Sequence, residues 1–349
     1  MTVKEPHFTI VVVTYNSGDY LTQCIDALCE QTFSDFELLV VDNASQDGSI
    51  ENLISKHVNL KIIKMEKNMG FAAGNNAAAK QAKGIWLITL NADAIPEPNW
   101  LWEINAATKR YPGVAMFGST QLRFNDPRTL DGAGDHYHPS GLAWRGGEGS
   151  PSDIITEDTS VIAPCAAAAI YRRDIYVKLG GMAECFFCYY EDVDLALRFR
   201  LKGYIGVQLC SAKVLHVGSA TSGRASDFIR YHVSRNRVWT FVRCIPGPLF
   251  FVLIPMLLST VFMRLLLSIP MGDSAVRFKA FSDAVLALPS VWRQRRVIQK
   301  ARTISAFQFG SAMTWSVGKL VLRARDVRPI PEDIAGHRAK LNSKVKNDF

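Results

Sequence analysis

The sequence predicts an α/β fold, in which a sheet flanked by helices precedes a helical, apolar C-terminal segment. Short apolar runs rich in Val and Ile recur between residues 8 and 90, and stretches with helical spacing separate them. After residue 240 the chain becomes strongly apolar and then basic. Because alternating strands and helices are typical of doubly wound sheets, we expect the first part of the chain to form a parallel sheet.

Strands are indicated where apolar residues run on without alternation, a pattern typical of strands buried on both faces. The predicted strands cover residues 8–14, 36–41, 60–64, 85–90 and 205–217. Helical spacing of apolar residues predicts helices over residues 20–30, 71–82 and 192–202, and one that begins near Ser49. The Gly-rich stretch 113–160 is interpreted as an irregular loop that forms one wall of a cleft.

Composition excludes disordered and fibrous classes, because 48% of the 349 residues are hydrophobic and 21% are charged. The net charge of +8 is unevenly divided. Residues 221–349 hold 21 Lys and Arg against 7 Asp and Glu, which is +14, and residues 1–220 hold 19 against 25, which is −6. We predict one domain over residues 1–240 and a helical, basic and apolar region over 241–349 that contacts anionic lipid, nucleic acid or a phosphorylated substrate.

The cysteines do not form the pattern of a disulfide framework. There are seven, an odd number scattered along the chain. Cys185 and Cys188 form a C-x-x-C pair without a second pair or a nearby His, and we interpret them as buried, reduced thiols rather than a zinc or redox site. Since no secretory signal is visible near the N-terminus, we expect this part of the protein in the cytoplasm.

Two polar clusters directly follow predicted strands. Asp42 follows the second strand, and Asn91 and Asp93 follow the strand at 85–90. Ligands of doubly wound sheets bind beyond the carboxyl ends of the strands, and carboxylates suit Mg²⁺ or Mn²⁺ beside phosphates. Taken singly, each Asp is as well explained by a turn or a helix cap, so the clusters are informative only as a set.

Other candidate residues lie at predicted helix starts and at a strand end. Asn68, Gly70 and Asn75 open a helix, where glycine permits close backbone approach and the helix dipole attracts an anion. His216 ends the last predicted strand, and a lone His is more often structural than a ligand.

Three acids, Glu191, Asp192 and Asp194, begin the helix predicted at 192–202. Adjacent acids raise one another's pKa, which suits a general base. The alternative is that Glu191 and Asp194 only complement the helix dipole.

Taken together, six motifs in order resemble family 2 of the glycosyltransferases, which have the GT-A fold, a Rossmann-like mixed sheet flanked by helices. The motifs are VVVTYNSGDYL, ELLVVDNASQDGS, NMGFAAGNN, TLNADAIPEP, EDVDLALRFRLKGY and HVGSATSG, within about residues 7–245. The chain is most similar to bacterial rhamnosyltransferases of cell-surface polysaccharide synthesis. The resemblance implies an inverting transfer of a sugar, L-rhamnose from dTDP-L-rhamnose in that subgroup, from a nucleotide-sugar donor to a hydroxyl of a glycan or lipid-linked glycan.

The resemblance also implies roles for single residues. The donor would be bound by Thr14, Tyr15, Asn16, Asp42, Asn68, Gly70, Asn75, Asn91 and Asp93. Asp93 would hold the divalent cation, Mg²⁺ or Mn²⁺, with His216 as a second candidate ligand, and Asp192 would be the general base. Because Asn91 stands where the general D-x-D pattern has an acid, cation binding would rest chiefly on Asp93.

The apolar stretch 246–269 allows three interpretations. Its 24 residues can cross a bilayer core of about 30 Å, lie on the membrane surface or pack as a buried hairpin. Arg264 and three prolines disfavour a span, and a basic cluster suits anionic lipid, formed by Arg293, Arg295, Arg296, Lys300 and Arg302. We therefore expect peripheral or monotopic attachment to the cytoplasmic face of the inner membrane.

Other functions predict motifs that this sequence lacks or only approximates. A processive polysaccharide synthase carries Q-x-x-R-W, which RNRVW at 235–239 resembles only superficially, and a nucleotidyltransferase carries a basic Gly-rich loop where this chain has YNSGD. A catalytically inactive, nucleotide-sugar-binding homologue with a scaffolding role stays open, although the joint presence of Asp42, Asp93 and Asp192 argues against it. Sparse aromatic residues in the basic tail argue against nucleic-acid binding, and no pattern indicates the oligomeric state.

Overall fold

The computed structural model describes residues 5–51, 53, 60–218, 226–332 and 334. Within them, ten strands form one sheet and two form a separate hairpin. The strands are β1 (Phe8–Thr14), β2 (Phe36–Asp42), β3 (Leu60–Lys64), β4 (Trp86–Asn91), β5 (Ala94–Pro96), β6 (Met116–Arg123), β7 (Asp126–Gly132), β8 (Asp135–Tyr137), β9 (Ala143–Arg145), β10 (Thr159–Val161), β11 (Ala168–Arg172) and β12 (Gly206–His216). The order across the sheet is β10-β12-β6-β11-β4-β1-β2-β3, with β5 on β12 and β7 on β6, and β8 and β9 form the hairpin.

One half of the sheet is parallel, as the sequence predicts. β1 pairs with β2 on one side and β4 on the other, and β3 lies outside β2. Successive side chains of β1 enter different cores: Val11 and Val13 pack on one face and Ile10 and Val12 on the other. This burial on both faces explains the unbroken apolar runs and confirms the predicted strands over residues 8–14, 36–41, 60–64 and 85–90.

The other half of the sheet is mixed, and here the prediction of an irregular loop at 113–160 is wrong. Inside that stretch β6 lies between β11 and β12, antiparallel to the first and parallel to the second. β6 reads MFGSTQLR, and two of its polar side chains are buried and hydrogen-bonded: Ser119 accepts from Trp100, and Thr120 donates to the Leu209 carbonyl. A strand stabilised by such tertiary bonds shows no apolar periodicity.

The helices surround the sheet and then continue as a C-terminal bundle. They are α1 (Asp19–Cys29), α2 (Gly70–Ala79), α3 (Trp100–Arg110), α4 (Arg173–Lys178), α5 (Glu191–Leu201), α6 (Asp227–Cys244), α7 (Gly247–Met271), α8 (Ser274–Leu286), α9 (Leu288–Lys300), α10 (Ala306–Ala312) and α11 (Val317–Val321). The helices predicted at 20–30, 71–82 and 192–202 are confirmed as α1, α2 and α5. The helix predicted near Ser49 falls mostly outside the described residues, and residues 49–51 form a turn.

The predicted boundary at residue 240 falls inside α6, which joins the sheet to the C-terminal helices. Phe199 of α5, Phe241 of α6 and Val291 of α9 belong to one hydrophobic core. Residues beyond α10 return to the hairpin, where the Thr314 amide donates to the Tyr137 carbonyl and Trp144 donates to the Ala324 carbonyl. The division into two domains therefore stays a prediction.

Among the described residues, α7 alone is long and apolar enough to cross a membrane by length and composition. Most of its side chains are not covered by the rest of the protein, and Phe251, Val252, Phe262 and Ile269 are 62–71% exposed. The structure thus shows no buried hairpin at this segment. An exposed apolar helix fits the two other interpretations, a helix that lies on the membrane surface and a helix that crosses the membrane.

Candidate active site

The carboxyl ends of β1 and β2 form the first part of a polar edge. Thr14 pairs in register with Asp42, and the Thr14 hydroxyl donates to Ser17 Oγ over 2.9 Å. Asp42 is buried, and its Oδ1 accepts the Ser45 amide over 2.8 Å. These bonds hold both side chains at the edge of the parallel strands, where a ligand is expected.

A turn after β1 lines an adjoining polar cavity of about 410 Å³. Asn16 has a φ of 50°, its amide donates to Ser45 Oγ, and its Oδ1 accepts the Gln46 amide over 2.8 Å. Tyr15 is 37% exposed, so its ring is available for stacking. The predicted residues Thr14, Tyr15, Asn16 and Asp42 therefore lie together at one edge.

The Gly-rich motif lies next to this edge, and Asn43, which sequence reasoning missed, ties the two together. Asn43 is 2% exposed, donates to the Gly70 carbonyl and accepts the Met69 amide. Asn68 accepts the Gly70 amide over 2.9 Å. Asn75 is fully buried and donates to the Phe71 carbonyl. The position of Asn43 directly after Asp42 was the only sequence signal for it.

Gly70 is required for a reason that differs from the one the sequence suggested. Its φ is +86°, and a Cβ there would lie 2.5 Å from the Phe187 carbonyl oxygen. That oxygen accepts the Ala72 amide over 3.1 Å. Glycine thus allows the start of α2 to contact the turn that precedes α5.

Asn91, Asp93 and His216 meet where β4 and β5 face the end of β12. His216 Nε2 lies 3.4 Å from Asp93 Oδ1 and 3.3 Å from Asn91 Nδ2. On the other side of the ring, Nδ1 lies 2.8 Å from Asp131 Oδ2. Burial lowers the pKa of His216, but Asp131 and Asp93 outweigh burial and raise it.

The donor set around His216 fits a divalent cation. Asp93 offers a carboxylate, His216 offers an imidazole nitrogen directed at it, and Asp131 orients the ring as carboxylates do behind metal-binding histidines. Asp131 also pairs with Arg145. Sequence reasoning missed Asp131, because it lies in the Gly-rich stretch that was interpreted as loop.

A second cluster, Asp135, Cys165 and Asp192, also has ligand atoms within 4.8 Å of one another. Its two carboxylates offer the oxygen ligands that Mg²⁺ and Mn²⁺ prefer, but its third member is a thiol, which suits these ions poorly. Burial raises the pKa of the Cys165 thiol to about 12, so the thiol stays protonated at neutral pH. Asp93 and His216 are therefore the better candidate ligands for Mg²⁺ or Mn²⁺.

Asp192 lies in the first turn of α5 with both carboxylate oxygens held by the backbone. Oδ2 accepts the Ala166 amide over 3.0 Å, and Oδ1 accepts the Val193 amide over 2.8 Å. Burial raises the pKa of Asp192, although these bonds oppose it. A carboxylate that is fixed in place and made more basic has the properties of a general base.

The neighbouring acids of this motif differ from Asp192. Burial raises the pKa of Glu191 well above its ordinary value, and Asp192 adds to the effect. Asp194 is ion-paired with Arg243 over 2.6 Å and with Arg198 over 2.7 Å. Burial would raise the pKa of Asp194, but the two guanidinium groups outweigh it and lower the pKa. Asp194 therefore pairs α5 with α6 rather than only complementing a helix dipole.

A short segment connects Asn91, which lies beside His216, to Asp192. The Asn91 amide donates to the Ala167 carbonyl over 3.0 Å, and the adjacent Ala166 amide is the group that donates to Asp192. Asp135 is another residue that sequence reasoning missed in the Gly-rich stretch. It is held nearby because its backbone amide donates a hydrogen bond to the Ala163 carbonyl.

The turn before Asp192 is strained and is held by one amide side chain. Phe187, Tyr189 and Tyr190 all have φ between 65° and 70°, which is unusual for residues other than glycine. Asn236 of α6 is fully buried, and its Nδ2 donates to the carbonyls of Phe186, Cys188 and Tyr189 over 2.8–3.0 Å. Sequence reasoning dismissed the RNRVW stretch, yet its Asn fixes this turn.

The cysteines of this turn are free thiols. The prediction that both are buried is wrong for Cys185, which is exposed, and Cys188 is half-buried. The 3₁₀ turn Glu184–Phe186 directs Cys185 outward.

A family model described as "Glycosyl transferase family 2" matches residues 9–180, which contain the polar edge as far as Asp131 and Asp135. The chain belongs to the family 2 glycosyltransferases. The remaining predicted site residues, Asp192 and His216, follow this match in the sequence.

This family 2 glycosyltransferase has relatives of different lengths. The O-antigen biosynthesis protein RfbC of Myxococcus xanthus is 32% identical, over 64% of this chain and only 18% of that protein. The N-acetylglucosaminyl-diphospho-decaprenol L-rhamnosyltransferase of Mycobacterium tuberculosis (strain H37Rv) is 25% identical, over 64% of this chain and 81% of that protein.

A solved structure, GalNAc-T7 with UDP, GalNAc and Mn²⁺, superposes with a TM-score of 0.54 at 16% identity. The match covers 66% of this chain and 47% of the other. This likeness confirms the predicted GT-A fold of the family 2 glycosyltransferase.

Proposed function

We propose that the protein transfers a sugar with inversion from a nucleotide-sugar donor to a hydroxyl of a lipid-linked glycan. The observation that carries this proposal is the connected polar edge, where the Asp93–His216–Asp131 chain and Asp192 are joined through residues 165–167. The mycobacterial relative, named for a rhamnosyl transfer to a diphospholipid-linked sugar, supports L-rhamnose as the sugar. The nucleotide, dTDP, follows from the resemblance to rhamnosyltransferases.

In this proposal the polar edge binds and orients the donor. Asp42 and Tyr15 bind the base and its ribose, and Thr14, Asn16, Asn68, Gly70, Asn75 and Asn91 surround the rest of the nucleotide sugar. Asp93 and His216 hold Mg²⁺ or Mn²⁺, with Asp131 orienting His216. A divalent cation bound there supplies electrostatic stabilisation to the departing diphosphate.

Asp192 then accepts the proton of the acceptor hydroxyl. The acceptor oxygen forms its bond to the anomeric carbon as the bond to the diphosphate breaks, and the electron pair leaves with the diphosphate. Because both oxygens of Asp192 are held by backbone amides, the carboxylate needs little reorganisation at this step. A single displacement of this kind inverts the anomeric configuration.

The exposed apolar face of α7 supports attachment to a membrane, peripherally or as a monotopic protein. The proposal places this attachment on the cytoplasmic face of the inner membrane. A lipid-linked acceptor would be presented at that surface. The alternative, a catalytically inactive homologue that only binds a nucleotide sugar, leaves the carboxylate of Asp192, fixed by two backbone amides, without a role.

A panel of nucleotide sugars tests the proposal directly. We expect dTDP-L-rhamnose to raise the melting temperature in the presence of Mg²⁺ or Mn²⁺, because a ligand that binds only the folded state stabilises it. Release of nucleoside diphosphate should then follow when a lipid-linked glycan is added. Binding without any turnover, with or without acceptor, would favour the inactive homologue.

A further inference from the structure

An apolar groove of about 580 Å³ lies between α6, α7, α8 and α9, away from the polar edge. Its walls include Phe250 and Leu257 of α7, Phe281 of α8 and Trp292 of α9. The volume lies within the range of about 300–1,000 Å³ that is typical of ligand sites. Phe250 and Leu257 are buried at its base. Leu258, Val285 and Trp292 of its lining are instead 37–51% exposed, and apolar side chains exposed together in this way mark an interaction site.

The two charged residues of the groove are both basic, and both belong to α9. Arg293 and Arg296 are exposed, and within the described residues neither forms an ion pair. Arg295, between them, is committed to the fold: it is buried, donates to the carbonyls of Val242 and Ile245, and stacks 4.3 Å from the Phe250 ring. An apolar groove with two unpaired guanidinium groups matches a molecule with a hydrocarbon chain and a phosphate.

The groove is in contact with the loop beside the proposed general base. Leu257 and Phe241 line it, and a Cβ placed on Gly141 would lie 3.2 Å from Leu257 and 3.5 Å from Phe241. The Gly141 carbonyl in turn accepts the Tyr190 hydroxyl over 3.3 Å, and Tyr190 precedes Asp192 by two residues. A lipid in the groove would therefore lie next to the loop around Gly141, which contacts the turn that leads into Asp192.

We propose that this groove binds the hydrocarbon chain of the lipid phosphate that carries the acceptor, with Arg293 and Arg296 on its phosphate. The inference rests on the proposed function for the identity of the lipid as an acceptor carrier. The exposed apolar face of α7 continues beyond the groove through Phe262 and Leu266, so a chain longer than the groove stays in contact with apolar surface.

Flotation with vesicles tests the proposal on the full chain. Three compositions are compared: phosphatidylcholine alone, phosphatidylcholine with phosphatidylglycerol, and phosphatidylcholine with decaprenyl phosphate at the same surface charge. We expect the tightest binding to the decaprenyl phosphate vesicles. Equal binding to the phosphatidylglycerol vesicles would overturn the assignment and show a general preference for anionic lipid.

A matched pair of variants locates the binding in the groove. Val285 lines the groove and is 43% exposed, whereas its neighbour Leu286 is 78% exposed and does not line it. Val285→Trp should weaken binding to decaprenyl phosphate vesicles about tenfold or more, because the indole fills apolar space. Leu286→Trp should leave binding unchanged. Equal effects of the two variants would overturn the proposal.

Charge variants give a second and independent test, in case the larger side chain prevents folding. Arg293→Gln combined with Arg296→Gln should also weaken binding about tenfold or more, while Lys300→Gln, on the same helix but outside the groove, should have a much smaller effect. Equal loss per charge at all three positions would show surface attraction only and would contradict the proposal.

Donor hydrolysis separates this inference from the proposed function. Val285→Trp should hydrolyse the nucleotide sugar as the wild type does, because Val285 lies on α8 and is none of the residues that form the polar edge. If the wild type hydrolyses the donor but shows no lipid binding that depends on the groove, only the proposal that the groove binds lipid is overturned. A wild type that binds decaprenyl phosphate through the groove but never consumes a nucleotide sugar overturns only the proposed transfer reaction.

Discussion

The polar edge of the sheet and the outer face of α7 expose opposite kinds of side chain. At the edge, His216 is 2% exposed and is held between Asp131 and Asp93. On α7, apolar side chains such as Phe262 are mostly exposed. Buried charges need partners, and uncovered apolar surface needs a contact outside the protein. The difference suggests that one region carries out the reaction and the other determines where it takes place.

The largest expected effect is the loss of turnover when Asp192, in the polar edge, is changed. Asp192→Asn should lower the turnover rate about 10²–10⁴-fold, because a general base contributes that much. Donor affinity should be unchanged, and the fold should persist because Asn keeps one of the two backbone hydrogen bonds and burial already disfavours the charge of Asp192. In the wild type, the raised pKa should shift the acid limb of the turnover profile to higher pH than an ordinary aspartate gives. Steady-state kinetics with calorimetry of the donor check this, and near-normal turnover would contradict it.

Asp194→Asn should instead lower stability, because Asp194 links α5 to α6, the helix that leads from the sheet to the C-terminal helices. Removing this carboxylate leaves Arg198 and Arg243 buried without their partner, so the free energy of unfolding should fall by about 3–5 kcal/mol. Urea denaturation measures this. Asp192→Asn is the matched control, two residues away on the same helix, and an equal loss in both variants would show that the two acids do not differ as described.

Asp131→Asn tests whether the edge is organised around a cation. With the partner of His216 weakened, Mn²⁺ affinity should fall about 10–100-fold. Calorimetric titration of Mn²⁺ with a nucleoside diphosphate present gives this value. Asp158→Asn is the control. Asp158 is also ion-paired, with Arg110, and it also contacts β12, where it accepts the Cys210 amide, but it does not contact His216. Equal losses would indicate a general effect on β12.

The smallest expected effect concerns α7. Phe262→Ser combined with Leu266→Ser should reduce binding to membranes about tenfold, because an apolar side chain only partly buried at a membrane surface contributes a fraction of the about 1.5–3 kcal/mol of full burial. Transfer to a water-soluble acceptor should not change. Val177→Ser, which removes an equally exposed apolar side chain from α4, should leave membrane binding intact. Vesicle flotation checks all three, and unchanged binding of the double variant would separate α7 from the membrane.

The parallel half of the sheet could be predicted from sequence because its strands are buried on both faces, which forces unbroken apolar runs such as that of β1. β6 could not, because its buried Ser119 and Thr120 are satisfied by partners from distant parts of the chain. The same limit applies to the site. Asp93 and His216 follow strands and could be found by position, whereas Asp131, Asp135 and Asn236 become recognisable only when folding brings their partners close.

Calorimetry of the donor with Asp93→Ala tests the central claim, that the polar edge is a cation-dependent nucleotide-sugar site, most directly. The wild type should bind the donor tightly with Mg²⁺ or Mn²⁺ and weakly after chelation, and Asp93→Ala should bind weakly in both conditions. Equal affinity of the wild type with and without chelator, matched by the variant, would contradict the account.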